Sequence, residues 1–333
     1  MCNLTKTVQL MYYKVIKSSI GGQVQMTSDK AMRFKKVYIE ITNVCNLSCP
    51  FCPGTARDPA FMSAADFDRV LHHLEGYTRH IYLHVMGEPL LHPDLSKLLD
   101  ISYSRRFKVN LTTNGTLISE KQKELLDAAA LRQVNFSLHS REKLYGTDEL
   151  DKYIGDIFEF TRNALERGDV FVSFRLWNIG SPSAEQFNRY MLGSIEKYFR
   201  LDHSLVDAFA AADRITIGDR LFLNKSEVFE WPDDAHSGND QQTGAAANAA
   251  KPVKPGFRSF CHGLRDQLAI LADGTAVPCC LDNNGTIKLG NILTQELEHI
   301  LKGKRAEAFY RGFSEGRAVE HLCRSCSYRE RFS

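Results

Sequence analysis

Three cysteines stand close together in the stretch Cys45-Asn-Leu-Ser-Cys49-Pro-Phe-Cys52. Cysteine thiolates are the usual protein ligands of iron–sulfur clusters. Three thiolates on one loop can hold three irons of a cubane, which leaves the fourth iron open to a small-molecule chelator. Scattered intracellular cysteines are more often small buried hydrophobic residues, and a lone CxxC more often binds zinc or is a redox motif. The spacing here, with the aromatic Phe51 before the last cysteine, favours the cluster.

A second set of cysteines lies towards the C-terminus and comprises Cys261, Cys279, Cys323 and Cys326. Asp273-Gly274, between the first two, is a strong signal for a tight hairpin. Such a turn would bring Cys279 back beside Cys261, and the C-terminal CxxC could then complete a four-thiolate site. Four thiolates suit zinc as well as an iron–sulfur cluster. The neighbouring Cys280 could also replace Cys279, so the residue types leave both points open.

The composition is that of an ordinary globular protein. The chain has 333 residues, of which 43% are hydrophobic and 25% charged, and a formal net charge of +2. So small a charge gives no support for nucleic acid or an anionic membrane as a partner. No apolar run approaches the roughly 18 residues of a membrane span, and no signal peptide is evident. Because a chain of this size needs no disulfides, its nine cysteines indicate a reducing, cytoplasmic setting in which thiols bind metal.

Apolar runs alternate with helical patterns from Val37 onward, which favours β/α units and a parallel sheet. Strands are predicted at 37–42, 81–86, 108–113, 133–138 and 170–177, with a weaker sixth at 215–222. Helices are predicted at 63–75, 94–105, 119–130, 150–167 and 184–199, with N-caps at Ser63, Asp94 and Ser119. Hairpin strands at 267–272 and 275–278 and helices at 294–302 and 304–313 are predicted in the C-terminal part.

The predicted strands are apolar on one face and polar on the other, since side chains alternate across a strand. A closed eight-stranded barrel fills its interior largely with Val, Ile and Leu. A polar interior therefore predicts an open, incomplete barrel around a polar ligand. A merely solvated second face is disfavoured because parallel sheets are normally covered on both sides. The polar face includes Glu40, His84, Asn114, Ser137, His139 and Arg175.

The motifs together resemble those of the radical S-adenosylmethionine (SAM) enzymes. Met86-Gly87-Glu88-Pro89 is similar to the family's GGEP-type motif, with Met86 in place of the first glycine. Thr112-Thr113-Asn114-Gly115 is similar to a polar turn that lines the family's site. The second cysteine set resembles the twitch domain, a shortened form of the SPASM domain that follows such barrels.

The resemblance covers residues 33–330 and implies an α/β fold: a partial (β/α)6 TIM-like barrel with a small C-terminal cysteine-rich α+β domain. It divides the chain into an N-terminal extension at 1–32, a core barrel at 33–230, a flexible linker or insertion at 231–256 and an auxiliary-cluster domain at 257–333. The extension is either a loosely packed segment or the product of an upstream start, with Met32 just before the first strand.

The resemblance also implies three cofactors, namely a SAM-binding [4Fe–4S] cluster, an auxiliary [4Fe–4S] cluster and SAM itself. Cys45, Cys49 and Cys52 would ligate the first cluster, and Cys261, Cys279, Cys323 and Cys326 the second. The candidates for SAM contact are Phe51, Gly87, Glu88, Asn114, Ser137 and Arg175. An equally reasonable role for Arg175 is a buried ion pair with Glu40. Arg175, His84 and His139 are candidates for catalytic proton transfer, although interior histidines are more often satisfied core groups.

The implied activity is reductive cleavage of SAM to a 5′-deoxyadenosyl radical that abstracts hydrogen from a small-molecule or peptide substrate. A net oxidation assisted by the auxiliary cluster is expected, with a reductant such as flavodoxin or ferredoxin as partner. One alternative is peptide or RNA modification by crosslinking. Another is a zinc or iron–sulfur binding protein without catalysis.

Overall fold

The computed structural model describes residues 33–228, 230–232 and 260–332. The predicted extension at 1–32 and nearly all of the predicted linker at 231–256 lie outside these residues. Within them, the alternation of apolar strands and amphipathic helices builds a single ten-stranded sheet. Its strands are β1 (Lys36–Ile39), β2 (His80–Tyr82), β3 (Lys108–Thr113), β4 (Leu131–Ser137), β5 (Phe171–Ile179), β6 (Arg214–Gly218), β7 (Leu221–Glu227), β8 (Gln267–Ile270), β9 (Thr275–Val277) and β10 (Gly290–Asn291).

The sheet has a parallel centre and antiparallel edges. Its strand order is β10-β9-β8-β1-β2-β3-β4-β5-β7-β6. Strands β1 to β5 pair in sequence order as parallel neighbours, and β7 adds to β5 in parallel. These six strands, with helices between them, confirm the predicted open (β/α)6 arrangement, and β8 adds a seventh parallel strand on the other side of β1.

Helices follow the strands at α1 (Ala64–Leu74), α2 (Leu95–Ser104), α3 (Ile118–Asp127), α4 (Asp148–Arg167), α5 (Ala184–Phe199), α6 (Leu205–Ala211), α7 (Leu297–Leu301), α8 (Lys304–Ser314) and α9 (His321–Ser325). Short 3₁₀ turns occupy Pro89–Leu91, Leu138–Leu144 and Ser327–Phe332. Ser63 caps α1 as predicted, since its hydroxyl accepts the Asp66 N–H at 3.0 Å. Asp94 holds the N-cap position of α2 as predicted, although its side chain makes no cap bond. Ser119 lies inside α3, so that cap prediction was wrong.

The outer face of the parallel strands forms the core. Val37, Ile39, Ile81, Val109 and Phe136 are fully buried and pack with the apolar faces of the helices in one cluster. The alternate positions of these strands therefore face the barrel interior, as the polar pattern predicts.

The sixth strand departs from the prediction. The run 215–222 is not one strand but spans a hairpin, because β6 turns back at Asp219-Arg220 and pairs antiparallel with β7. Strand β7 supplies the sixth parallel position. The second strand also ends early, at Tyr82, so that His84 and Met86 lie in the loop that follows it.

The predicted C-terminal hairpin forms around Gly274, whose φ is +81°. Its first strand pairs in parallel with β1, from Lys36 opposite Gln267 to Ile39 opposite Ile270. The cysteine-rich region therefore continues the barrel sheet past β1 instead of forming a separate sheet. This places the hairpin turn at the same end of the sheet as the loop after β1, while β9 runs back towards the start of β1.

Candidate active site at the carboxyl ends of the strands

A cavity of about 910 Å³ lies in the barrel interior, and residues of the loops that follow β1 to β4 form part of its lining. Ligand sites of parallel α/β folds lie at these carboxyl ends. Both cysteine sets line this one cavity, which is thus bounded by Cys45, Cys49, Cys52, Cys261, Cys279, Cys280, Cys323 and Cys326.

The first three thiols lie on one loop after β1, which we call the cluster loop (residues 43–57). The Cys52 N–H donates to the Cys49 carbonyl at 3.0 Å and so folds the CxxC into a turn. Burial, together with the neighbouring Cys45 and Cys52, raises the pKa of the Cys49 thiol to about 11. Thiols crowded in this way can lose their protons together only beside a cation, which fits a metal cluster.

Asn114 ties the third-strand turn to the cluster loop. Its side-chain amide donates to Asn46 Oδ1 at 2.9 Å and lies 4.0 Å from Cys45 Sγ, while its own oxygen accepts the Thr116 N–H at 2.9 Å. The Asn46 amide donates in turn to the Thr116 hydroxyl at 2.8 Å. The predicted site residue Asn114 therefore stands against the cluster loop, where it orients the thiol of Cys45.

The Gly87-Glu88 turn lies on the other side of the same loop. The Glu88 N–H donates to the Val44 carbonyl at 2.8 Å. The Glu88 carboxylate accepts the Thr113 hydroxyl at 2.7 Å, the Asn114 N–H at 2.7 Å and the Leu90 N–H at 3.0 Å. Burial raises the pKa of this carboxyl to about 7, against the effect of these hydrogen bonds. Glu88, the acid predicted to contact SAM, therefore also links the turn after β2 to the turn after β3.

The four C-terminal thiols come together as the hairpin predicts. Burial raises the pKa of Cys279 well above its ordinary value, and charges on Cys261, Cys280, Cys323 and Cys326 act in the same direction, so these thiols share one neighbourhood. Cys280 is the one of them that shares a hydrogen bond with the Tyr38 phenol and packs with Val85 and Met86 in a small apolar cluster. This arrangement favours Cys279 over Cys280 as a ligand.

Zinc is the other metal that four thiolates suit. Across residues 33–228, 230–232 and 260–332, no group of three or more His, Cys, Asp or Glu side chains is placed to hold one metal ion.

Arg175 lines the cavity and does not pair with Glu40. Its guanidinium lies 4.7 Å above the Trp177 ring and donates a long hydrogen bond of 3.4 Å to the Thr112 hydroxyl. The predicted alternative, an ion pair with Glu40, is wrong because Glu40 pairs with Arg57 at 2.6 Å. Burial lowers the pKa of Arg175 to about 10, which still leaves it a cation at neutral pH. Ser137 stands directly opposite Arg175 in the β4–β5 ladder and lines the same cavity.

Of the two candidate histidines, His139 is buried and His84 is half-buried, and both are neutral at pH 7. Burial lowers the pKa of His139 to about 4 and that of His84 to about 3. His139 Nδ1 lies 3.0 Å from the Arg175 carbonyl, so this nitrogen carries the proton and donates, while Nε2 can accept. The Phe51 ring lies 4.7 Å from the His139 ring. His84 instead meets the edge of Tyr38 at 5.4 Å.

Sequence reasoning missed part of the cavity lining. Tyr38, Tyr82, Trp177, Trp231 and Tyr328 form much of its aromatic surface. Tyr38 and Tyr82 occupy the interior positions of β1 and β2 on the same alternation as Glu40 and His84, so the strand period could have found them. Trp231 could not be placed in this way, because its Nε1 reaches the Phe51 carbonyl at 3.0 Å from far along the chain.

An open parallel barrel with three thiols on its first loop and four more across the cavity defines an iron–sulfur enzyme of the SAM-dependent radical class. Two family models match the chain: the radical SAM superfamily over residues 39–177 and the SPASM iron–sulfur cluster-binding domain over residues 261–327. The chain belongs to the radical SAM superfamily and is a radical SAM enzyme with a SAM-binding [4Fe–4S] cluster and an auxiliary cluster.

A GTP 3′,8-cyclase of Chlorobaculum tepidum is 31% identical over 315 residues, which cover 86% of this chain and 90% of the relative. The structure of BtrN in complex with AdoMet and 2-DOIA has a TM-score of 0.53 at 16% identity and covers 88% of this chain and 93% of its own. Native anSMEcpe with bound AdoMet and Cp18Cys peptide has a TM-score of 0.51 at 14% identity, with coverages of 88% and 86%. The fold is thus shared with proteins that bind AdoMet together with different second ligands. Among the described residues, no helix is both long and apolar enough to span a bilayer.

Proposed function

We propose that this enzyme cleaves SAM reductively at the cluster loop and uses the resulting 5′-deoxyadenosyl radical to take a hydrogen atom from a substrate in the same cavity. The observation that carries the proposal is that both cysteine sets open onto one cavity of about 910 Å³. Cys45, Cys49 and Cys52 would hold the first cluster, and its open iron would take the amino acid end of SAM. When bound, this cluster supplies the electron for cleavage.

The residues around the cluster loop suit the remaining parts of SAM. The Gly87-Glu88 turn would receive the ammonium group, with backbone oxygens taking the larger share because the Glu88 carboxylate already accepts three hydrogen bonds. Arg175 and Ser137 would receive the carboxylate, for which a guanidinium fork is well shaped. Asn114 would orient the ribose end, and the Phe51 segment would lie against the adenine.

A net two-electron oxidation of the substrate is the proposed outcome. Loss of a hydrogen atom leaves a substrate radical; loss of a proton and a second electron then completes the oxidation. Cys261, Cys279, Cys323 and Cys326 would hold the auxiliary cluster that accepts this electron across the cavity. His139 Nε2 or His84 would accept the proton, since both rings are neutral at pH 7, whereas Arg175 stays charged and suits a carboxylate better.

Electron counting tests this reaction. Cleavage consumes one electron and the oxidation returns one, so anaerobic protein supplied with a limiting amount of a flavodoxin or ferredoxin should form several equivalents of 5′-deoxyadenosine per electron. The assay should be run with a protein-free small-molecule extract and, separately, with a peptide extract. One equivalent or less per electron with every extract would contradict a net oxidation.

A peptide substrate is the second candidate. The observation in its favour is that the anSMEcpe neighbour, which has a fold of the same kind, binds both AdoMet and a peptide. In that case only the peptide extract would raise the yield of 5′-deoxyadenosine. A colourless protein that binds zinc and leaves SAM intact would instead support a binding protein without catalysis.

A further inference from the structure

The cluster loop ends on the auxiliary region. Its last residues meet the turn Asn283-Asn284, which follows shortly after Cys279. The Asn284 side-chain oxygen accepts the Ala56 N–H at 2.9 Å and the Thr55 hydroxyl at 2.9 Å. The Asn283 amide donates to the Gly54 carbonyl at 2.5 Å. Three successive residues of the cluster loop are therefore held by two residues of the other cysteine region.

Arg57 extends this contact into the barrel. Its Nε donates to the Asn283 carbonyl at 2.9 Å, and its terminal nitrogen donates to Glu40 at 2.6 Å. Glu40 is fully buried. Its carboxylate also accepts the Met86 N–H at 3.2 Å and the Ala272 N–H at 3.0 Å. One buried ion pair thus meets the cluster loop, the turn before Gly87 and the hairpin that leads to Cys279.

The turn itself is built to be rigid. Asp282 is fully buried, and its carboxylate accepts the Thr286 and Ile287 N–H groups, each at 2.8 Å. A charged acceptor with two backbone donors fixes the loop strongly. If Cys279 moves towards or away from the other thiols, this rigid loop should therefore move Asn283 and Asn284 with it.

We propose that the Asn283-Asn284 turn, together with Arg57 and Glu40, positions the SAM-cluster loop, so that assembly of the auxiliary site sets the geometry of the first cluster. Asn284 and Arg57 are positioning residues, since they act through the loop and touch none of the proposed ligands. The inference rests on the proposed function only in taking the two cysteine sets as cluster ligands.

Anaerobically purified protein with both clusters allows a direct test by three substitutions. Asn284→Ala removes both side-chain bonds to the loop, and Arg57→Gln removes the ion pair. Arg57→Lys keeps the charge beside Glu40 but loses the bond to the Asn283 carbonyl. Lys288→Ala is the matched control, because this exposed side chain lies on the same segment and makes no hydrogen bond to the cluster loop.

Two readouts separate positioning from stability. Hydrogen exchange at the Ala56 amide should quicken at least tenfold in Asn284→Ala. The electron paramagnetic resonance signal of the reduced SAM cluster with SAM bound should change in Asn284→Ala and Arg57→Gln, partly in Arg57→Lys and not in Lys288→Ala. Cys326→Ala, which removes a proposed auxiliary ligand, should alter the same signal.

Signals identical to wild type in Asn284→Ala, Arg57→Gln and Cys326→Ala would overturn the proposal. If another variant does not fold, Arg57→Lys still tests the proposal, because the lysine ammonium compensates the charge of the buried Glu40 carboxylate. Failure of wild-type protein to cleave SAM would contradict the proposed function, while the exchange at Ala56 would still report on the contact.

Discussion

The backbone of Gly87 lies so close to Thr42 that a Cβ atom at position 87 would stand 2.5 Å from the Thr42 carbonyl oxygen. The Val44 carbonyl would be only 2.8 Å away. Gly87 also has a φ of +76°, a conformation that L side chains rarely adopt. The glycine of the Met86-Gly87-Glu88-Pro89 motif is thus required by the start of the cluster loop, whatever it contributes to SAM.

Gly87→Ala should therefore push the cluster loop away from the second-strand turn. We expect the loss of the first cluster, with iron falling from about eight towards four per chain, and no measurable SAM binding. Gly76→Ala is the matched control, because Gly76 has a φ of +78° and nothing within 4 Å of an added Cβ. The control should cost only about 1–2 kcal/mol of stability and keep full iron. Equal iron in the two variants would show that the close approach is unimportant.

Arg175 provides a test of the proposed SAM site. Loss of a charge-assisted hydrogen bond costs about 1.5–3 kcal/mol, so Arg175→Gln should weaken SAM binding by about 10- to 100-fold. Equilibrium dialysis of labelled SAM against anaerobic protein measures this, with iron content expected to stay at the wild-type level. Arg214→Gln is the control, since Arg214 also lies over an aromatic ring, Phe222 at 4.6 Å, but on the edge strand away from the cavity. Unaltered SAM affinity in Arg175→Gln would remove Arg175 from the SAM site.

The sequence predicted much of this fold because the signals were local. Helix α5 was predicted with its observed bounds, 184–199, since its apolar residues recur with a clean helical period. The hairpin at 273–274 was found from its turn residues. The β6–β7 hairpin was missed although Gly218-Asp219 is a turn signal within 215–222; the residue with positive φ is Arg220, at 58°, which is not glycine.

The two cysteine sets could be recognised from the sequence because the spacing of the cysteines is itself the signal. Pairings between distant residues were not, because no short-range pattern fixes them. Glu40 was matched with Arg175 on polarity alone, whereas the fold brings Arg57 to it from the cluster loop. The contact of Asn284 with Ala56 likewise depends on β8 joining the sheet beside β1.

His139 predicts a pH dependence of stability. Burial lowers its folded pKa to about 4 from 6.5. The unfolded chain therefore takes up a proton as the pH falls below 6.5 while the folded protein does not, so stability present above pH 6.5 declines towards pH 4. Between pH 7.5 and 5.5 this should amount to about 1 kcal/mol.

His139→Gln keeps a donor for the Arg175 carbonyl and removes the titrating group. The free energy of unfolding in urea should therefore fall by about 1 kcal/mol less between pH 7.5 and 5.5 in the variant than in wild type. Taking this difference cancels the acid sensitivity of the clusters, which both proteins share. The same pH dependence in both proteins would mean that His139 is not held neutral by the fold.

The central claim is that each cysteine set holds its own cluster on one shared cavity, and cysteine variants test it most directly. Iron, acid-labile sulfide and 5′-deoxyadenosine should be measured in anaerobic protein incubated with SAM and a reductant. We expect about eight irons per chain in wild type. Cys45→Ala, Cys49→Ala or Cys52→Ala should abolish 5′-deoxyadenosine and remove about four irons, Cys326→Ala should remove the other four, and Cys280→Ala should change neither iron content nor cleavage. Undiminished 5′-deoxyadenosine in the variants of Cys45, Cys49 and Cys52 would contradict the account.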